Sequence, residues 1–181
     1  MTQTTWKIDP SHTSVEFSAR HMMITTVKGR FADFEGTVVE NAASLEGATV
    51  EVTMKAASID TRTEQRDAHL RSADFLDADT FPNITFKSSS ISGTKETFSL
   101  TGDLTVRGTT RPVTLDVTYD GGGKDPWGGE RVGFSASGKI DRREFGLVWN
   151  QALETGGLLV GNDIKIQIDA QLVKQAAVPV A

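Results

Sequence analysis

The 181-residue chain carries 19 Lys and Arg against 24 Asp and Glu, a net charge of −5 with no basic run long enough to track a phosphate backbone, which argues against a nucleic-acid partner. It has no cysteine, so disulfide frameworks, thiolate metal sites and thiol catalysis are excluded. With 38% hydrophobic and 24% charged residues it has an ordinary globular composition able to build one sizeable core, and no stretch reaches the length of a membrane span.

Residues 6–9 read as a short first strand ending at Pro10, and Val15, Phe17 and Ala19 then alternate with polar neighbours as a half-buried second one. His21-Met22-Met23-Ile24 breaks the alternation and predicts one helical turn before a strand carrying Phe31, Phe34, Gly36 and Val38. Residues 40–47 predict a turn region. Ala48, Val50, Val52 and Met54 then face one way and the polar residues between them the other, a period of two.

The pattern stops over residues 58–82, SIDTRTEQRDAHLRSADFLDADTFP. Thr61 and Glu64 stand at capping-box spacing, which predicts a short helix over 62–70, and Ser72 predicts a second capped turn through Phe75 and Leu76. Phe81-Pro82 ends it, because the proline ring disfavours helical backbone in the residue before it. A polar helical excursion between two strands can lie across a barrel end as a lid; an ordinary crossover connection is the simpler reading.

Strands resume at 84–86, 98–106, 113–119, 132–140 and 164–172, with links short enough to predict antiparallel pairing. Residues 120–130, DGGGKDPWGGE, predict a long mobile hairpin tip. A phosphate-binding loop is excluded there, since Lys124 is followed by Asp125 and the glycines open no helix. About eight or nine strands with short links suit an up-and-down antiparallel barrel spanning residues 1–174, with a frayed tail at 175–181. Gly36, Gly102, Gly138, Ala19 and Ala136 fall in phase with the apolar face of their strands. They mark bulges where the barrel coils or an unfilled lumen, and the pattern leaves both open.

Trp6-Lys7-Ile8-Asp9 with His12, Phe17, His21 and Gly29-Arg30-Phe31, then Ser58-Ile59-Asp60-Thr61 with Arg66-Asp67-Ala68-His69-Leu70-Arg71-Ser72, resemble the YceI-like polyisoprenoid-binding family. Phe81-Pro82, Gly102-Asp103-Leu104-Thr105 and Arg143-Glu144-Phe145-Gly146-Leu147 with Trp149 follow in that family's order, so the resemblance covers about 6–172. It implies an all-β, lipocalin-like extended antiparallel β-barrel with the helical excursion at about 61–77. It also implies an apolar tunnel for a polyisoprenoid of the polyprenyl phosphate or isoprenoid quinone type, commonly in a homodimer, and transport or storage in place of catalysis. Ligand-binding residues expected on that basis are Phe17, Ala19, His21, Met22, Phe31, Phe34, Met54, Phe86, Phe98, Leu100, Phe134, Gly138, Phe145 and Trp149. A phosphate headgroup would meet arginine near the barrel mouth, with Arg62, Arg20 and Arg30 as candidates. No cofactor or metal is expected. Many relatives carry an export leader and this chain shows none, so the expected location is cytoplasmic, or periplasmic if a leader was removed. The alternative is a small hydrolase or isomerase acting on a lipid-like substrate through His12, His21 or His69; no pair of them has helical ligand spacing, and a structural role is favoured. Asp67, His69 and Arg71 are expected to pin the excursion to the barrel.

Overall fold

The structure, a computed structural model, describes residues 3–41 and 45–177. Part of the turn expected at 40–47 and the tail beyond 177 lie outside them. Eleven strands occur among the described residues: β1 (Gln3–Ile8), β2 (Ser14–His21), β3 (Thr25–Phe31), β4 (Phe34–Asn41), β5 (Thr49–Lys55), β6 (Ile59–Asp60), β7 (Asn83–Gly93), β8 (Thr97–Val106), β9 (Thr109–Lys124), β10 (Glu130–Asp141) and β11 (Val160–Lys174). One helix, α1 (Glu64–Arg71), interrupts them. Among the described residues no helix is long and apolar enough to cross a membrane.

Every pairing is antiparallel, and the order β1-β4-β5-β7-β8-β9-β10-β11 closes on itself where β1 pairs with β11. Closure of these eight strands leaves no open edge in the barrel. The seam depends on the length of β11. Its end, Leu172–Lys174, pairs with β1, whereas residues 160–169 pair with β2, so the 3₁₀ turn Pro10–His12 carries the chain from one neighbour of β11 to the next. From there β2, β3 and β6 extend the wall beyond the barrel at the end where α1 lies.

That turn is fastened by Asp9. Its carboxylate accepts from the amide and hydroxyl of Ser11 at 3.0 and 2.6 Å, and lies 2.9 Å from His12 Nδ1 and 2.7 Å from Arg131 Nη1 on β10. The Ser11 hydroxyl and the His12 ring, with Arg131, hold the Asp9 carboxyl far below the usual carboxylate range against the opposing effect of burial. The folded-state value lies below the unfolded one, so this stabilisation is present above about pH 4 and is lost as pH falls through the folded-state value. Asp9→Asn should therefore cost about 1 to 3 kcal/mol at neutral pH and flatten the acid limb of the stability curve. Urea titrations at neutral and acid pH check both. A variant with the wild-type acid limb would show that other carboxylates govern it.

Three local expectations change. The hairpin at 21–24 is a tight β-turn and not a helical turn: Met22 and Met23 have φ of 52° and 59°, and Ile24 N donates to His21 O at 3.0 Å. The helix is capped at Thr63 without a side-chain bond. Thr61 forms no capping box, because its amide and hydroxyl donate to Asp67 Oδ1 at 2.8 and 2.5 Å and Arg66 donates to its oxygens. Gly121, Gly122 and Gly123 lie within β9, so the loop shrinks to 125–129, where Asp125 accepts from the amides of Trp127 and Gly129.

Packing is lopsided. The inward residues of β7, β8 and β9, among them Ile84, Phe86, Leu100, Leu104, Val113, Leu115 and Val117, are buried. Those of β11, Ile164, Ile166, Ile168 and Ala170, alternate correctly yet stay only half-buried. A closed barrel whose inward apolar residues remain accessible along one wall is hollow along that wall.

Candidate functional site

The hollow is a cavity of about 800 Å³ enclosed by the barrel and lined almost entirely by aliphatic and aromatic side chains. It lies in the upper part of the range found for small-molecule sites. Its length follows from strand direction. Trp6, Leu45, Ala48 and Lys95 line it at the end of the β7–β8 turn; Arg66, His69, Leu70, Phe75 and Leu76, from α1 and the turns after it, line the other. The excursion is thus both a connection and a cover for that end.

Of the residues expected from sequence, Phe17, Ala19, His21, Phe31, Met54, Phe86, Phe98, Leu100, Phe134 and Trp149 line the cavity. Five do not. Met22 sits on the outer face of the β2–β3 turn, 41% exposed. Phe34 is buried where β4 begins, away from the cavity wall. Phe145 is only 1% exposed, held in the core by a 3₁₀ turn over Arg142–Phe145. Arg62 is exposed at a φ of 65°, its amide tied to Asp60 Oδ1 at 2.9 Å. Gly138 keeps the inward phase, but a Cβ there would meet Leu115 Cδ2 at 2.6 Å, so a neighbouring side chain already fills that space. The same holds at Gly36, covered by Ile8, and at Gly102, covered by Phe86. These three glycines admit neighbours and do not widen the lumen.

Among the candidate cations, Arg30 pairs with Asp60 at 3.1 Å on the outside, while Arg20 lines the cavity and donates to the Met23 and Ile24 carbonyls at 3.0 and 3.3 Å. Two others escaped the sequence reading. Arg66 reaches the wall from α1 while donating to Thr61 Oγ1 and O, each at 2.7 Å. Arg142, 3% exposed, donates from Nε to Gly161 O at 2.9 Å and from Nη1 to Leu147 O and Trp149 O at 2.7 and 2.9 Å. Its nearest neighbours are neutral carbonyls, and no ion pair forms to it among the described residues. Burial pulls its guanidinium below the usual value, opposed by the charge of Asp141. Asp141 itself is spent on Arg143 at 2.6 Å, which together with an amide bond lowers its carboxyl to about 2.

The histidines are dispersed. His12 lies outside on Asp9, and His21 lines the cavity at the end of β2. His69 is wedged edge-on between Phe75 and Trp149, with centroids 5.0 and 4.7 Å away, and its Nε2 meets Asp74 at 2.9 Å. His69 packs the excursion against Trp149, whereas Asp67 bonds Thr61 within the excursion and the Arg71 side chain bonds Glu64 of its own helix, so of the three expected pins only His69 reaches beyond it. No cluster of three or more potential metal ligands occurs among the described residues.

Comparison with known proteins matches residues 6–172 to the model of the YceI-like domain. The chain is 38% identical over 169 residues to a UPF0312 protein of Staphylococcus aureus strain USA300, covering 93% of this chain and 96% of that one. The crystal structure of a Campylobacter jejuni YceI protein is 32% identical and superposes with a TM-score of 0.74 over 87% of this chain and 90% of the other. A polyisoprenoid-binding domain from Saccharophagus degradans, 13% identical, shares the fold with a TM-score of 0.63 over 95% and 98%. The closed eight-stranded barrel with its helical cover and the match over 6–172 agree, and the chain belongs to the YceI-like family.

Proposed function

We propose that this protein is a non-catalytic carrier or reservoir for a long-chain polyisoprenoid, of the polyprenyl phosphate or isoprenoid quinone type, held lengthwise in the barrel. The observation that carries the reading is one continuous apolar cavity in which five of the six basic residues on the lining, Arg20, His21, Arg66, His69 and Arg142, gather at the α1 end, with Lys95 at the other. The tail then lies along β11 and the polar head under α1. Each CH₂ removed from water contributes about 0.8 kcal/mol before ordering costs, so even part of a prenyl chain gives useful affinity. The shared fold with the polyisoprenoid-binding domain from Saccharophagus degradans supports the substrate class.

The protein purified without added lipid should carry a co-purifying apolar molecule, seen by native mass spectrometry and identified in an organic extract. Added polyprenyl phosphate should displace it more readily than the free alcohol does. A peak only at the apo mass, unchanged by polyprenyl phosphate or quinone, would overturn the carrier reading.

A further inference from the structure

The β2–β3 hairpin projects beyond the barrel, and its apex is apolar: Met22, Met23 and Ile24 are 41, 68 and 71% exposed. Beside it the segment 146–159 exposes Val148 and Leu158, and Met23 Sδ lies directly over Gly157. The apex is also strained, since both central residues of the turn hold positive φ, a region suited to Asn and Gly and poor for methionine. Met22 fastens the turn through its backbone, its N donating to Leu159 O, so that bond does not depend on a methionine side chain. Strained, exposed apolar residues are a device for contact with something outside the molecule.

The charge around the apex selects the occupant. In a chain of net charge −5, residues 17–32 contain Arg20, Lys28 and Arg30 and no carboxylate. Arg30 is paired, but no ion pair engages Arg20 or Lys28 among the described residues. The adjacent segment 146–159 adds a single carboxylate, Glu154. An apolar apex with a basic flank matches the surface of an anionic bilayer, where apolar side chains enter the boundary of the acyl region and cations meet phosphates. Arg20, His21, Leu159 and Val160 flank the apex and line the cavity, so the docked hairpin would set the cavity's end against the membrane.

We infer that the Met22–Ile24 hairpin tip is a membrane-docking element that seats the α1 end of the barrel on an anionic lipid surface. This holds whichever lipid occupies the cavity. The test is co-sedimentation with vesicles of phosphatidylcholine and phosphatidylglycerol, and with phosphatidylcholine alone. Wild type should bind the anionic vesicles, less so as salt rises. Lys28→Gln should weaken that binding by about fivefold. The double variant Met22→Asn, Met23→Gly supplies the residues the turn geometry favours, so it should melt about 2 to 4 °C higher and lose vesicle binding by roughly tenfold or more. Wild type that stays in the supernatant, or a double variant that sediments as wild type does, would overturn the proposal. So would a dimer of wild type, seen without vesicles, that the double variant converts to monomer, because a second copy would then be the occupant.

Discussion

Arg142→Met should destabilise the protein by about 3 kcal/mol or more and lower its melting temperature by roughly 10 °C. The size follows from what the guanidinium does. Arg142 gathers the carbonyls of Leu147, Trp149 and Gly161, which belong to the segment leaving β10 and to the start of β11. Methionine fills similar space but donates nothing, so each carbonyl left dry loses its partner at a cost of about 1 to 3 kcal/mol. Arg142→Lys should recover only part of the loss, because a single ammonium cannot reproduce the planar fork. The damage should be local at first. Limited proteolysis should cut the methionine variant within 146–159 before wild type, since Trp149 and Leu147 hold that segment against the cavity through the same bonds. A methionine variant with the wild-type melt and cleavage pattern would show that water satisfies these carbonyls and that Arg142 is no clasp.

The barrel was legible in the sequence wherever one face of a strand is buried and the other wet. The alternation of Val50, Val52 and Met54, and of Val113, Leu115 and Val117, fixes which side faces inward, and the structure has all six lining the interior. The same phase, carried further, exposes what the reading missed. Phe134, Ala136, Gly138 and Ile140 face inward, and two residues on is Arg142; a cation in phase with an apolar face is the signal that could have placed it. The turn at Met22-Met23 was illegible for a different reason. Its residues disfavour the positive φ they adopt, so local propensity pointed away from the observed backbone, as expected where a segment serves contact more than folding. Gly121, Gly122 and Gly123 misled in the opposite direction: glycine suggested a loop, but pairing with β10 keeps them in a strand. Whether the interior is hollow was not readable from the alternation and came only from the family resemblance. Period two reports direction, while a lumen is a difference between enclosed volume and side-chain volume that depends on strand number and tilt.

The same ring added at two inward positions should have opposite consequences for the fold. Ala19 lines the cavity from β2, paired to Ile164 and Val27, and lies half-buried beside open space. Ala19→Phe should therefore fold, melt within a few degrees of wild type, and lose retained lipid, because the ring occupies volume the chain of the ligand would take. Gly138 faces inward as well, yet Leu115 Cδ2 and Thr114 O lie 2.6 and 3.3 Å from the position of its missing Cβ. Gly138→Phe must push Leu115 off a buried site and crowd the β9 backbone, a strain of about 1 to 3 kcal/mol or more. Lipid binding by the Gly138 variant, measured on the fraction that folds, should fall less than in the Ala19 variant, since the displaced volume lies on the packed wall of β7, β8 and β9. A thermal melt and a lipid-retention assay on the two proteins decide the matter. If Ala19→Phe unfolds and Gly138→Phe melts like wild type, the hollow runs along the opposite wall from the one bounded by β11 and β2. If both retain lipid fully, the ligand lies outside the barrel and the cavity is not its site.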